Sequence, residues 1–329
     1  NCNINGFTGW DINFRGSGIN SILSTTSNNN INNNIIENNY IGIYLFQSDI
    51  NTITTNQINN NQVGVTMATS SSFNTISSNT FNVQAGKTGI DLYGTGHVIN
   101  QNTFSADGWP ITIQPNTQSI TIRENTINMI SRLKDAIYIT NPSSSSITID
   151  KNTITYPQFT GVSCPIGITN GAGIISSGAS NLIIAENTIT NAAPAIQLNY
   201  RRNNRIEKNT ISNDKGCFGG IYYFIDKTPT EGQADTIRYN NINNIKLGTS
   251  NKENLVIAYS SYLNPPNYKN YNYQLTDNHW YLPTQAEIKS SITNPTDNTD
   301  GSAATLTVCP WLVNPWPDIT QQTVCVPPA

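Results

Sequence analysis

Charge is scarce in this chain of 329 residues: Asp, Glu, Lys and Arg together make up 11% of it, where roughly 25% is usual. Seventeen Lys and Arg stand against twenty Asp and Glu, and no basic run exists that could neutralise a row of phosphates, which argues against nucleic acid as a partner. Long apolar runs are also missing. No stretch approaches the roughly 18 apolar residues that a membrane-crossing helix needs, so no membrane span is expected. The five cysteines, at 2, 164, 217, 309 and 325, form no C-x-x-C pair, which leaves no sequence basis for a zinc site or a thioredoxin-like centre. There are only two histidines, His97 and His279, with no metal or triad partner in sight, so neither metal nor cofactor is expected. Acceptors of the form N-x-S/T occur only where proline spoils them, at Asn141-Pro142-Ser143 and Asn294-Pro295-Thr296. The chain opens at Asn1 with no initiator Met or leader, as a secreted chain would after loss of its signal peptide.

What is abundant is Asn, Ser and Thr, and they are ordered. The tetrapeptide [E/K/Q/S]-N-T-[I/F] recurs at Asn79, Asn102, Asn125, Asn152, Asn187 and Asn209, with looser copies at Asn34, Asn56 and Asn241. Most steps between these asparagines are 22 or 23 residues, a period that marks stacked repeats. A second motif keeps register with the first: Gly42-Ile43-Tyr44-Leu45, Gly64-Val65-Thr66-Met67, Gly89-Ile90-Asp91-Leu92 and their successors as far as Gly220-Ile221-Tyr222-Tyr223. Each alternates apolar and other residues with period 2, which is the pattern of a short strand with one buried face. Compositional bias alone would not hold two motifs in phase, so a disordered low-complexity reading fails.

A unit this short cannot bury its apolar side alone and must stack on its neighbours. The expected fold is therefore all-β, a right-handed parallel β-helix of about ten coils of 22–23 residues, with parallel sheets and interior columns of Ile, Val and Leu. The repeated asparagines Asn56, Asn79, Asn102, Asn125, Asn152, Asn187, Asn209 and Asn241 are expected to stack as a hydrogen-bonded ladder at a corner. The β-helix should occupy residues 1–261, with loop insertions near 156–172 and 226–236. Beyond it, residues 262–329 lose the period and turn to Tyr, Pro, Trp and Asn, as a capping or interaction segment would. Cys164 and Cys217 fall at one corner and could bridge. Cys309 and Cys325 could close a small loop, leaving Cys2 as a free thiol or a link to another subunit.

The coils resemble the PbH1-type parallel β-helix repeats of NosD-like and pectate-lyase-like surface proteins over roughly residues 15–260. Asn278-His279-Trp280, followed by Asp297, Asp300 and Cys309-Pro310-Trp311, is similar to a segment that often follows such repeats. This resemblance implies an extracellular or cell-surface location, and it identifies a fold far more sharply than a function.

Enzymes of this architecture work on the outer face of one sheet, so the outward residues of the second motif are the candidate site. They offer rings and amides for carbohydrate, namely Tyr44, Tyr93, Tyr138 and Tyr222 with Gln114 and Gln197. Asp91 is the one carboxylate in these columns, whereas glycosidic hydrolysis needs two, so no catalytic residue is assigned. The first expectation is a structural or adhesive surface protein, a filament or sheath subunit joining copies of itself end to end or laterally. A polysaccharide-binding adhesin is the alternative, and a polysaccharide lyase or hydrolase built around Asp91 the third.

Overall fold

The computed structural model describes residues 3–5, 17–21, 27–140, 146–158, 171–199, 203–216, 220–225, 235–246, 255–259, 272–275, 277–278, 287–288, 292–293 and 305–307. Its strands form three parallel sheets of ten, eleven and eleven strands, and every strand pairs with one a full turn earlier or later in the chain. A representative turn has Thr75–Ser77 in sheet C, Thr80–Val83 in sheet A and Thr88–Leu92 in sheet B. Nine successive turns, from Asn30 to Tyr259, are described in all three strands. This is an all-β parallel β-helix, as the period requires, and no described helix is long and apolar enough to cross a membrane. The strands Asn272–Gln274, Ile292–Thr293 and Thr305–Thr307 extend sheets C, B and C beyond residue 261.

The interior follows from the alternation. In sheets C and A the second residue of each strand points inward, giving one column of Ile53, Ile76, Ile99, Ile122 and Ile149 and another of Ile58, Phe81, Phe104, Ile127 and Ile154, all at most 2% exposed. Phe81 and Phe104 replace isoleucine in adjacent turns, and their rings stack 4.6 Å apart at 12°, an arrangement available only because the register puts one directly over the other. Each fully buried side chain of this size contributes about 1.5–3 kcal/mol.

Asparagine ladders close two of the corners. In the first, the backbone N–H and the Nδ2 of one asparagine both donate to the Oδ1 of the next, from Asn34 through Asn56, Asn79, Asn102, Asn125, Asn152, Asn187 and Asn209. The next rung is Asn240 and not Asn241: Asn209 donates to Asn240 Oδ1 from N at 2.9 Å and from Nδ2 at 2.9 Å. Asn241 takes the outward position that threonine holds elsewhere, opposite Thr210. The cause is the period of 2, because the inward Ile242 must stand two residues after the rung. The ladder then runs on to Asn278. Asn240→Ala is accordingly expected to lower stability by about 3 kcal/mol through orphaned buried groups, and Asn241→Ala, which leaves the ladder bonds in place, by less; paired guanidinium melts would show the contrast.

The second ladder lies where sheet B turns into sheet C. It comprises Asn29, Asn51 and Asn74, and then His97, whose Nδ1 accepts from the Asn74 N–H at 3.2 Å. The residue before each rung has a left-handed backbone at both corners, with φ near 55° at Ser78, Gln101 and Glu124. Cys2, Cys164, Cys217, Cys309 and Cys325 lie outside the described residues, as do most of the insertions near 156–172 and 226–236 and most of 262–329.

Candidate functional site

Sheet B presents its second column outward in unbroken register: Tyr44 over Thr66, Asp91, Thr112, Tyr138, Ile175, Gln197 and Tyr222. Beside it, one residue past the strand ends, stand Phe46, Tyr93 and Gln114. The column is not a uniformly open face. Tyr44, Thr66, Thr112 and Ile175 are 6–9% exposed, so they make a floor, while Asp91, Tyr138, Gln197 and Tyr222 rise from it partly exposed.

The expected residues separate into two groups along the rod. Tyr44, Asp91, Tyr93 and Gln114 come together. Asp91 Oδ1 accepts from Gln114 Nε2 at 2.6 Å, and burial holds the Asp91 carboxyl above the usual carboxylate range despite that bond. Burial and the nearby Asp91 charge raise the Tyr93 phenol, and burial together with Tyr93 raises Tyr44. Tyr44 itself is covered and stacks at 6.3 Å and 7° on Phe46, so it backs the site and offers no open ring. Tyr138, Gln197 and Tyr222 form the second group, separated from the first by Thr112 and divided by Ile175. There Gln197 Nε2 donates to Asn199 Oδ1 at 3.2 Å, and burial raises the Tyr222 phenol. On the strand's other flank Lys134 Nζ lies 3.9 Å from the centroid of the Trp109 ring.

Asp91 is the single carboxylate among the described outward residues of these columns. The arrangement supplies rings, one carboxylate with a raised pKa, amides and hydroxyls, which is the chemistry of holding a polyhydroxylated ligand. Arg205, the first residue of the strand Arg205–Glu207, is engaged by Glu207, which also receives Arg238 at 3.1 Å.

His97, for which the sequence offers no metal or triad partner, lies behind this site and holds the Tyr93 backbone. It is fully buried. Since a backbone N–H can only donate, Nδ1 is the acceptor for Asn74 and the proton sits on Nε2, which donates to the Tyr93 carbonyl at 2.8 Å. Burial pushes its pKa down to about 4, against smaller opposing contributions from the Tyr93 carbonyl and the Asp49 charge. The signal was present in His97-Val98-Ile99, which copies Asn74-Thr75-Ile76 one turn on. Phe73 and Ile50, both exposed at the adjoining corner, were also missed, because a strand pattern says nothing about corner positions.

Residues 12–88 match the family model described as periplasmic copper-binding protein (NosD). That segment contains no histidine or cysteine, and its one methionine, Met67, is fully buried. Among the described residues no three His, Cys, Asp or Glu side chains gather as metal ligands, and both ring nitrogens of His97 are engaged. The donor set does not fit copper. No curated protein and no solved structure matches the chain. Residues 88–261, more than half of its length, match the model described as right handed beta helix region, and the parallel three-sheet coil carries on through the same span: the chain belongs to the right-handed β-helix family.

Proposed function

We propose that this protein is an exported, cell-envelope β-helix that adheres to polymeric carbohydrate along the outer face of sheet B. The observation that carries the reading is the placement of Asp91, Tyr93 and Gln114 on adjacent turns, with a ring, a carboxylate and an amide side by side above a covered floor. The low charge of the chain and the NosD-type match over its first coils support the location. The second group, Tyr138, Gln197 and Tyr222, sets further rings and an amide on the same column, whose strands lie about 4.8 Å apart, as a ligand spanning several turns requires. End-to-end joining of copies into a filament or sheath would repeat this face along a fibre, and most residues of the terminal turns that would join lie outside the described residues. Cleavage is the weaker reading, because hydrolysis calls for a second carboxylate that these columns do not hold.

Affinity electrophoresis against a panel of soluble polysaccharides tests the proposal. The wild type should be retarded by at least one polymer. Tyr93→Ala should weaken that retention about tenfold through loss of ring stacking, and Asp91→Asn should weaken it without abolishing any chain scission. Equal retention of Tyr93→Ala and wild type would remove sheet B from consideration.

A further inference from the structure

The corner between sheets B and C carries two residues that the fold does not require. The position before each rung of the second ladder is left-handed, with φ of 63° at Asn28, 58° at Ile50, 53° at Phe73 and 71° at Gly96, and equivalent positions of later turns follow suit, with 56° at Ser119, 56° at Asn181 and 58° at Asn203. Asn and Gly reach this conformation at little cost, whereas a β-branched or bulky side chain is strained there. Ile50 and Phe73 accept that strain while 54% and 63% exposed, so little burial offsets it.

Phe73 is also seated. A Cβ on Gly96, one turn on, would fall 2.5 Å from Phe73 Cδ1 and 2.6 Å from Cε1; only glycine leaves room for the ring against the backbone there. Polar groups lie next to it in the chain. Asp49 Oδ1 accepts from the Ser72 N–H at 2.7 Å and from Ser72 Oγ at 3.0 Å, and Ser72, Thr95 and Gln118 are bridged in parallel over successive turns. An exposed ring bordered by a carboxylate, hydroxyls and an amide suits the apolar face and the hydroxyls of a sugar.

This corner is tied to the outer face of sheet B by one tight turn. Tyr93 and Gly96 are three residues apart, His97 Nε2 donates to the Tyr93 carbonyl, and Gly94 is so close to the Ser71 carbonyl that a Cβ would lie 2.0 Å from it. We infer that a carbohydrate chain held on sheet B continues around this corner, with Phe73 as a second stacking platform and Asp49, Ser72, Thr95 and Gln118 as its hydrogen-bonding rim. The inference rests on the carbohydrate reading above and extends it to a longer ligand.

The test uses Phe73→Asn, and Ile50→Asn as a second variant, in the full-length chain with a length series of oligosaccharides from the polymer that retards the wild type. Asparagine already occupies this corner at three positions, so the Phe73→Asn variant should unfold at an equal or higher denaturant concentration. Its affinity for long oligosaccharides should fall about tenfold while short ones bind as before. Unchanged affinity for long oligosaccharides, or a fall in stability with both variants, would overturn the second platform and leave sheet B standing. Failure of the wild type to bind oligosaccharides of any length would instead overturn the underlying reading together with this one.

Discussion

Replacing Asn125 by alanine is expected to destabilise the protein by about 3 kcal/mol. Its Oδ1 accepts from the N–H of Asn102 at 2.9 Å and from Asn102 Nδ2 at 3.0 Å, and its Nδ2 donates to the carbonyls of Ile99 and Arg123, at 3.0 Å each, and to Asn152 Oδ1 at 2.9 Å. Asn102 Nδ2 keeps the Ile76 and Asn100 carbonyls when Asn125 is truncated, and Asn152 Oδ1 keeps the Asn125 backbone N–H. The Asn102 N–H keeps nothing of the kind, and a buried group left unsatisfied costs about 1–3 kcal/mol. The first rung, Asn34, provides the control. No described neighbour donates to its Oδ1, so Asn34→Ala should cost about 1 kcal/mol. Guanidinium unfolding of the two variants at equal m-value measures the difference. If Asn125→Ala cost no more than Asn34→Ala, the ladder would be ornament and the apolar columns would hold the coils by themselves.

Acidification from pH 7 to pH 4 should remove about 3 kcal/mol of stability through His97 alone. The imidazole is neutral in the folded chain, with its pKa pushed down from 6.5 to about 4 by burial. Below pH 6.5 the unfolded chain takes up a proton that the native state refuses until about pH 4, so this stability is complete above pH 6.5 and is lost as the pH falls through that window. Protonation at Nδ1 would set a second N–H against the Asn74 N–H, so the buried charge would also lose this rung. Asp91 and Asp135 act in the opposite sense, since burial raises both carboxyls and the folded chain binds their protons more readily. The difference between the wild type and His97→Asn isolates the histidine, because asparagine makes the same rung at Asn51 and Asn74. Denaturant midpoints recorded from pH 7 to pH 4 should fall more steeply for the wild type. Parallel curves would mean that the His97 environment is polar enough to accept a charge.

Three features show how far residue order alone reaches. The inward columns were legible because a period of 2 within a period of 22–23 leaves one way to bury Ile53, Ile76 and Ile99 together. The first ladder was legible for the same reason until Asn240-Asn241, where two asparagines adjoin and only the position of Ile242 decides between them. The second ladder was harder to see. Asn51-Thr52-Ile53 and Asn74-Thr75-Ile76 read like the first ladder's motif, yet they belong to another corner of the same coils, and His97 replaces asparagine without resembling it. Among the candidate binding residues, Asp91, Tyr93 and Gln114 lie on one face, and their outward direction follows from alternation. That Tyr44 is covered by its neighbours, and that Gln197 spends its amide on Asn199, depends on side-chain directions that no spacing encodes.

What the sequence by itself determined is the winding: the period, the inward Ile, Val and Leu, and the polar corners that let identical turns lie over one another. What only the tertiary structure decided is which residues of different turns touch. Asp91 meets Gln114 and Phe73 meets Gly96 across 23 residues of chain, and Tyr93 is held in place by a histidine buried beneath it. The physical reason is that stacking makes neighbours of residues a full coil apart, while the left-handed corners that aim Phe73 and Ile50 outward are set by the closure of each turn and leave no periodic trace in the chain.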